Sequence, residues 1–292
     1  MQNLLKNSDF ETQFQEFRGK LLPYAYNILG DSMEAEDVVQ EILSNYFTGP
    51  KDHIQTPQNY LIRAVINRAI NEKKKQKVRL TEYPGHWLPI PVSTEEGVYK
   101  YADRSKILRY SLLVLLELLT PKERAVFILK ESFDFSHGDV AEMLDVTIEN
   151  SRQLYKRAKQ KIEPDLHQSF FADHSGESIL HQLTESILAA DIEKVKQLLS
   201  DDVKLVSDGG PKTSAARNVI SGKDDAYKLL KAIYGKYFPE GSSISFTSYN
   251  HLPAILYKKD DVLYRCILFE IEEGLIRGMY IIVNPDKLQF IK

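Results

Sequence analysis

The ionisable side chains of this sequence are sorted into three blocks, each dominated by one sign of charge. Residues 31–41 carry five acidic side chains and no basic one. Residues 63–79 carry seven basic side chains against one acidic, and residues 147–161 carry five against one. Clusters of lysine and arginine bind phosphate groups with an affinity that falls steeply with salt, and an acidic face can bind a basic protein surface. A single block is most often a solvated face, but three blocks favour two nucleic-acid surfaces and one protein surface.

The acidic block has the pattern of a helix with one apolar face. Asp31 and Glu34 have the spacing of a capping box, and apolar residues follow at intervals of three and one. Glu34, Asp37 and Glu41 fall on an adjoining face. Attraction of acidic residues to the positive end of a helix explains Glu34 but not Glu41. We therefore predict that this face binds a basic partner surface.

The first basic block continues a helical pattern that begins near Pro57. Apolar and polar residues alternate with helical period over residues 60–70, and the basic run follows, with Pro84 beyond its end. Asn67 and Asn71 are four residues apart and can present their amides to base edges on the same side. An asparagine on a helix is as often an exposed residue with no binding role. The pattern predicts a helix whose basic end binds phosphates.

The second basic block completes the most specific local pattern in the chain. Thr120-Pro121 predicts a helix start, Ser136 and Asp139 predict a capping box, and Asp145-Val146 predicts a tight turn before a helix capped by Thr147. Apolar residues fall on the inner face and basic residues on the outer face. In a DNA-binding helix-turn-helix, the last helix reads base edges with its first part and holds phosphates with the rest. A helical hairpin without a DNA role is the alternative.

Length and composition limit the class of protein. The 292 residues predict two domains or three small ones, and 43% apolar content is typical of a soluble globular chain. Cys266 is the single cysteine, which excludes an internal disulfide and favours a reducing compartment. The strongest apolar run, residues 112–116, is far shorter than the ~20 residues that span a bilayer. We expect a cytoplasmic protein that makes no membrane contact.

Proline and glycine positions divide the chain into four pieces. Residues 10–79 and 105–163 read as helical, and residues 80–104 are a connector rich in proline and glycine. From about residue 177 the pattern becomes α+β, which predicts an antiparallel sheet. The predicted helices there are Ile179–Ala190, Ile192–Leu199 and Lys223–Tyr237, and the predicted strands are Ile244–Tyr249, Ala254–Tyr257, Val262–Ile271 and Leu275–Val283.

The strand around residue 266 is apolar on both faces. Its alternation predicts one face with Val262, Tyr264, Cys266 and Leu268, and the other with Leu263, Ile267, Phe269 and Ile271. We find no convincing acid/base pair, no Ser/His/Asp arrangement and no cluster with metal-ligand spacing. The sequence therefore predicts no catalytic residue, no metal and no cofactor in this piece. A regulatory domain that binds an unidentified small molecule is the favoured interpretation.

The helical pieces together resemble an extracytoplasmic-function sigma factor of the sigma-70 family, the type with only regions 2 and 4. Residues 30–41 resemble the stretch that binds core RNA polymerase, which in the family grips a coiled coil of the β′ subunit. Residues 59–71 resemble the helix that binds the −10 element, with Asn67 at the usual asparagine and Asn71 where many members have aspartate. Residues 119–124 and the helix-turn-helix resemble region 4, which reads the −35 element, with Asp145 where glycine is usual.

Three further stretches narrow the resemblance to sigma factors with a fused SnoaL-like C-terminal domain. Residues 87–91 resemble that group's Trp-Leu-Pro-Glu-Pro, with Ile90 for glutamate. Residues 208–212 resemble Asp-Gly-Gly-Gly-Lys, with Pro211 for the third glycine, and residues 284–288 match Asn-Pro-Asp-Lys-Leu. The resemblance implies an α+β cone with a curved antiparallel sheet. It also implies that this domain packs against the sigma regions and connector and tunes their access to polymerase and promoter.

The resemblance assigns residues to four roles. Binding to core RNA polymerase, through its β′ and β subunits, falls to Glu34, Asp37, Val38, Gln40 and Glu41. Binding to promoter DNA at the −10 element falls to Arg63, Asn67, Arg68, Asn71, Lys73, Lys74, Lys75 and Lys77. Binding at the −35 element falls to Ser151, Arg152, Gln153, Lys156, Arg157 and Lys159. Regulatory contacts between domains fall to Trp87, Leu88, Pro89, Pro91, Asp208, Gly209, Gly210, Lys212, Asn284, Pro285, Asp286, Lys287 and Leu288.

The predicted organisation is region 2 over residues 8–79, a linker over 80–104, region 4 over 105–165 and the SnoaL-like domain over 176–292. Two other functions stay open at this point. A conventional helix-turn-helix regulator would bind duplex DNA without polymerase. A SnoaL-like isomerase or hydratase would carry the helical half as an accessory.

Overall fold

The computed structural model describes residues 2–50, 54–94, 104–162, 176–235 and 238–291. Part of the predicted connector, residues 95–103, and the predicted boundary at 163–175 lie outside these ranges. The chain forms two compact units: a helical unit comprising Met1–Arg79, Glu96–Leu108 and Leu112–Gln168, and a C-terminal unit comprising Leu80–Glu95, Arg109–Ser111 and Ser169–Lys292. None of the described helices has the length and apolarity needed to cross a membrane.

The first half of the helical unit consists of three helices: α1 (Gln2–Leu29), α2 (Ser32–Thr48) and α3 (Pro57–Arg79). Asp31 caps α2 by accepting hydrogen bonds from the N–H groups of Met33 and Glu34. The predicted capping box is half formed, because the Glu34 carboxylate is engaged by Gln76 and Arg79 on α3 instead. Apolar residues at helical spacing are buried between the helices, including Ile28, Leu29, Val39, Leu43, Val65, Ile66 and Ala69.

The second half of the helical unit contains most of α4 (Tyr110–Leu115), whose first two residues belong to the C-terminal unit, followed by α5 (Pro121–Glu131), α6 (His137–Leu144) and α7 (Ile148–Ile162). Complete capping boxes at Thr120 and Ser136 begin α5 and α6, and the Thr147 hydroxyl accepts from the N–H of Asn150 at the start of α7. Asp145 has φ +50° at the turn, which explains how it stands where glycine is usual. The predicted helix-turn-helix is therefore confirmed.

The C-terminal unit is a six-stranded sheet covered on one face by helices. Its strands are β1 (Leu199–Asp208), β2 (Ile220–Ser221), β3 (Ser242–Tyr249), β4 (Leu252–Lys259), β5 (Val262–Glu272) and β6 (Leu275–Ile282), in the order β2-β1-β6-β5-β4-β3. Helices α8 (Glu177–Leu188), α9 (Ile192–Gln197) and α10 (Lys223–Gly235) bury one face, and α11 (Pro285–Leu288) follows the last strand. The core between them contains Leu183, Val195, Leu230, Ile255, Ile267, Phe269 and Met279.

Two details of the sheet differ from the sequence prediction. β1 pairs parallel with β6, so the sheet is mixed rather than wholly antiparallel, and no strand was predicted there because residues 199–208 include a polar run. In β5, Arg265 lies opposite Tyr257 but Leu263 lies opposite Lys258, which leaves Tyr264 as an inserted residue. Such a bulge shifts the alternation of faces. Tyr264 therefore packs against the helix-covered core and not on the face predicted for it.

The connector covers the opposite face of the sheet. Leu88, Ile90 and Val92 are all buried, and the neighbouring Tyr110 ring lies 5.3 Å from that of Tyr280 on β6. The neighbours of Tyr280 on β6, Met279 and Ile281, belong to the helix-covered core. Because successive side chains of a strand point to opposite faces, the Tyr280 side chain lies on the other face of the sheet. The sheet therefore lies between helices on one side and the connector on the other.

Candidate polymerase, promoter and connector sites

The predicted polymerase-binding face of α2 is partly exposed. Asp37, Gln40 and Glu41 are accessible to solvent, as binding to another protein requires. Val38 corrects the prediction: its side chain is 2% exposed and belongs to the core. Glu34 is half-buried against α3, and burial, followed by the nearby Asp31, raises the pKa of its carboxyl to about 7.

The predicted −10 helix, α3, has two different faces. Arg63, Asn71, Lys74 and Lys75 are exposed on the outer face. Arg68 is bound to acidic neighbours, with its Nε 3.0 Å from Glu41 and its Nη1 2.9 Å from Glu72. The freely accessible positive charge of this helix is thus smaller than the count of basic residues indicates.

Lys73, predicted to bind −10 DNA, lies on the inner face of α3 and is inaccessible to DNA in this arrangement. Its side chain is fully buried, and its Nζ donates to the Leu29 carbonyl at 2.8 Å, to Gln76 at 2.6 Å and to Glu117 at 2.8 Å. The guanidinium of Arg124, also fully buried, donates to the same Glu117 carboxylate. Glu117 therefore joins one cation from α3 to one from α5.

The pKa values in this triad reflect both burial and pairing. Burial, and then the charge of Arg124, lowers the pKa of Lys73 to about 7. Burial tends to raise the pKa of Glu117, but the charges and hydrogen bonds of Arg124 and Lys73 outweigh it, and the net shift is downward. The carboxylate is thus ionised at neutral pH, where it pairs with Arg124 and with the protonated form of Lys73.

Two more predicted −10 residues bind the second half of the helical unit. The Lys77 Nζ donates to the carbonyl oxygens of Glu117 and Leu119, at 2.9 and 2.5 Å. The Asn67 amide donates to the Arg63 carbonyl at 2.9 Å and to the Met143 carbonyl on α6 at 2.8 Å. The Asn67 amide and the Lys77 ammonium therefore hold the second half of the helical unit against α3. In this arrangement they do not point into solvent.

The predicted −35 helix, α7, presents a basic surface. Arg152, Gln153, Lys156, Arg157 and Lys159 are all exposed. Ser151 corrects the prediction, because its side chain is fully buried and its hydroxyl lies 2.9 Å from the Nδ1 of His137. Ser151 therefore joins α7 to α6, and the outer face carries the potential DNA contacts.

The predicted regulatory residues converge on one buried carboxylate in the C-terminal unit. Asp208 at the end of β1 accepts from the Leu88 N–H at 2.8 Å, from Lys287 at 2.6 Å and from the Gly210 N–H at 3.1 Å. The hydroxyl of Tyr83 also donates to it. The Lys287 Nζ donates in addition to the Leu88 carbonyl and lies 4.0 Å from the centroid of the Trp87 ring. Asp208 and Lys287 thus clamp the connector at Leu88.

Asn284 ties the C-terminal signature to the same clamp. Its side chain caps α11 by accepting from the Asp286 N–H at 3.0 Å, and its Nδ2 donates to the Tyr83 hydroxyl at 2.9 Å. A Cβ on Gly210, which has φ +59°, would lie 2.5 Å from that Nδ2. Gly210 is therefore required both by its backbone conformation and by the close approach of Asn284.

The remaining predicted regulatory residues lie around this clamp. Pro89 and Pro91 are buried, and Leu288 on α11 is 4% exposed. Lys212 and Asp286 form an exposed ion pair at 2.6 Å, Gly209 is buried beside Asp208, and Pro285 is exposed at the first turn of α11.

Sequence reasoning missed three residues that fix the connector. Tyr83 binds Asp208, Tyr110 donates to the Pro89 carbonyl at 2.6 Å, and the Asn250 side chain accepts from the Val92 N–H at 2.8 Å. The left-handed conformations of Asn250 and His251 mark a tight turn between β3 and β4, and an asparagine between two predicted strands is a signal of such a turn. Nothing local in the sequence identifies Tyr83 or Tyr110.

The helix-covered interior of the C-terminal unit contains a further buried group, Arg265. Its guanidinium lies 5.2 and 5.4 Å from the ring centroids of Tyr257 and Tyr264, and the hydroxyls of Tyr234 and Tyr257 are 2.6 Å apart. Among the described residues of this unit, Asp208 is the fully buried carboxylate, and it faces the connector. No group of three or more metal-ligating side chains occurs in the described part of the chain.

Comparisons with known proteins identify the two regions of the helical unit. Residues 13–79 match the family model "Sigma-70 region 2", and residues 109–162 match "Sigma-70, region 4". The chain is 26% identical to the ECF RNA polymerase sigma factor SigJ of Mycobacterium tuberculosis, over 94% of this chain and 92% of that protein. It is 24% identical to the probable ECF RNA polymerase sigma factor SigI of the same species, over 93% and 92%.

A solved structure shows the same fold. The crystal structure of M. tuberculosis SigJ matches with a TM-score of 0.77 and 23% identity, covering 96% of this chain and 98% of that one. Both sigma regions and the α+β unit therefore have counterparts in one relative. The chain belongs to the extracytoplasmic-function sigma factors of the sigma-70 family, non-catalytic transcription factors that bind core RNA polymerase and promoter DNA, and its C-terminal unit has the fold of the corresponding part of SigJ.

Proposed function

We propose that this alternative sigma factor uses three surfaces of the helical unit in turn. The exposed Asp37, Gln40 and Glu41 on α2 bind the β′ subunit of core polymerase. The outer face of α3 binds −10 DNA, and the outer face of α7 binds the −35 element. The observation that carries this proposal is the separation of one acidic and two basic exposed faces onto three different helices of one unit.

The described arrangement of the helical unit is a resting state for −10 binding. Lys73, Lys77 and Asn67 are engaged by Glu117, Leu119 and Met143 from the second half of the unit. These groups can reach DNA only after α5 and α6 leave α3. A buried ion pair resists such separation strongly when one partner would stay behind in a dry site. Binding to polymerase therefore has to supply the free energy that separates the two regions.

The C-terminal domain acts through the connector in this proposal. The connector is the covalent link between region 2 and region 4. Asp208 and Lys287 bind the backbone of Leu88 in the connector, and Asn250 binds the backbone N–H of Val92. A link bound along a sheet has a fixed path, whereas a free link of the same length samples many. Release or retention of the connector thus sets how readily the regions separate. We propose a regulatory role for the domain, because its fully buried carboxylate, Asp208, binds the connector.

Transcription in vitro with purified core polymerase tests the proposed surfaces. The double substitution Asp37→Lys and Glu41→Lys should abolish promoter-specific initiation and co-purification with polymerase, because it reverses the charge of the binding face. Glu16→Lys, an exposed reversal on α1, is the matched control and should retain both. Initiation without any added chain, or equal loss in the control, contradicts the proposal.

A further inference from the structure

The loop after β1 encloses a polar cavity beside the connector clamp. The cavity has a volume of about 230 Å³ and is lined by residues 209–217, by Ser207 and by Pro84 and Gly85 of the connector. The clamp contacts described above use Asp208 and leave this space open. The cavity lies within one compact unit, so its shape follows from the fold of that unit alone.

Small residues create the cavity by allowing a very tight turn. A Cβ on Gly209 would lie 2.2 Å from the Thr213 carbonyl oxygen and 2.8 Å from the Ala215 Cβ, so only glycine fits there. The Thr213 N–H donates to the Gly209 carbonyl at 3.2 Å and closes the turn. Across the cavity, a Cβ on Gly85 would lie 3.6 Å from the Cα of Arg217.

The lining has the chemistry of an anion site. Its lining residues include the basic Lys212 and Arg217 and the hydroxyl-bearing Ser207, Thr213 and Ser214, and no acidic residue is among them. Asp286 accepts one hydrogen bond from the Lys212 ammonium, which has three N–H groups to donate.

Backbone donors add to this set. Within the described ranges, no backbone carbonyl is bonded to the N–H groups of Ser214, Ala215 and Ala216. The lining therefore offers cationic, hydroxyl and backbone donors together. Carboxylates and phosphates are the ligands that such a mixture recognises best.

We propose that this cavity binds a small phosphate-bearing molecule. A guanidinium and an ammonium bind phosphate oxygens strongly, and backbone N–H groups of a glycine-rich turn complete such sites. The volume exceeds that of a phosphate group alone, which leaves room for a small organic remainder. This inference deepens the proposed regulatory role of the C-terminal domain, because Asp208 of the clamp directly precedes Gly209.

Equilibrium dialysis of the full-length protein against radiolabelled inorganic phosphate tests the site directly. A second arm displaces the label with glycerol 3-phosphate, and chloride keeps the ionic strength constant in both. We expect saturable binding at one site, with tighter binding of the phosphate ester if the organic remainder is accommodated. If unlabelled phosphate and glycerol 3-phosphate displace the label equally well at the same concentration, the phosphate group alone is the ligand.

Two variants locate the binding. Arg217→Gln should weaken phosphate binding about tenfold or more, since it removes a charged hydrogen-bond donor. Lys194→Gln removes an exposed lysine on α9 of the same unit and should leave binding unchanged. The melting temperature of each variant, measured without phosphate, checks that both fold. Absence of saturable binding below about 10 mM, or equal binding by the Arg217 variant, overturns the proposal. The assay contains no polymerase, so its failure leaves the transcription result untouched.

Discussion

Glu117 is the residue whose substitution tests the resting state most directly. Its carboxylate holds Lys73 from α3 and Arg124 from α5, and the side chains of both cations are 0% exposed, whereas that of Glu117 is 18% exposed. Glu117→Gln keeps the size and some hydrogen bonds but removes the one negative charge that the two cations share. We expect the contact between the two sigma regions to weaken.

The magnitude follows from the cost of leaving buried charge without its partner. Breaking one partner of a buried pair costs about 3–5 kcal/mol, and the partial exposure of Glu117 favours the lower end. About 3 kcal/mol corresponds to a change of about 100-fold in the equilibrium between separated and packed regions. When only the separated state binds −10 DNA, its apparent affinity rises in proportion to that population. The same loss lowers the melting temperature by about 6–12 °C if the helical unit unfolds as a whole.

The protonation of Lys73 gives the prediction a pH dependence. Its pKa in the folded protein is lowered to about 7, chiefly by burial, so folding stability rises as the pH increases from about 7 toward the pKa of an unfolded lysine. Without Glu117 that pKa falls further. Near pH 6 Lys73 of the parent is mostly protonated and is stabilised by Glu117, an interaction that the variant lacks, whereas above pH 8 Lys73 is mostly neutral in both proteins. The difference between variant and parent should therefore be larger at pH 6 than at pH 8.5.

Binding of a fluorescent single-stranded −10 oligonucleotide and thermal unfolding by circular dichroism measure these effects. Glu16→Gln on α1, which breaks an exposed pair with Lys20 at 51% and 60% exposure, is the control and should change stability by at most about 1 kcal/mol. The double variant Glu117→Gln, Lys73→Met should recover stability, because it removes a buried cation. If Glu117→Gln behaves as the control does in both assays, the triad does not hold the regions together.

Three further outcomes are expected. Asp208→Asn should lower stability by about 3 kcal/mol and shift the emission of the single tryptophan, because Lys287 loses its buried partner; an unchanged spectrum and melting temperature would contradict the clamp. Glu34→Gln should flatten the pH dependence of unfolding between about pH 4.5 and 7, where the raised carboxyl pKa makes the parent lose stability as the pH rises; an unaltered slope in calorimetry would count against it. Lys156→Ala should weaken binding to −35 duplexes of any sequence and reduce the slope of log affinity against log salt by about 1. Gln153→Ala should instead relax the preference for one −35 sequence. If Lys156→Ala changes the sequence preference and Gln153→Ala does not, the base contacts lie elsewhere on α7.

The local elements of the helical unit were predictable because their signals lie close together in sequence. Capping residues such as Thr120, Ser136 and Thr147 satisfy N–H groups three residues away, so spacing alone reveals them. Apolar stripes are likewise visible in the sequence because they recur with the helical period, and charge blocks are visible because their residues are close together. These patterns predicted the helix-turn-helix, and the family resemblance added the two sigma regions, whose matches cover residues 13–79 and 109–162.

Side-chain partners were harder to predict because they join distant parts of the chain. Lys73 looks like its neighbours Lys74 and Lys75 in the sequence, yet it alone of the three is fully buried, against a carboxylate 44 residues away. A basic run along a helix turns by about 100° per residue, so adjacent lysines face different surroundings. Which of them meets the second half of the unit depends on how α3 and α5 pack.

The C-terminal unit separates the two kinds of information most clearly. The sequence by itself determined its α+β class and four of its strands, since these depend on local alternation and turn chemistry, and a family resemblance pointed to the three motifs whose regulatory role we propose. Only the tertiary structure decided that Asp208, Leu88 and Lys287 meet, that a bulge turns Tyr264 inward, and that β1 pairs in parallel with β6. The physical reason is that strand pairing and buried ion pairs are chosen by the packing of the whole unit, which no short stretch of sequence contains.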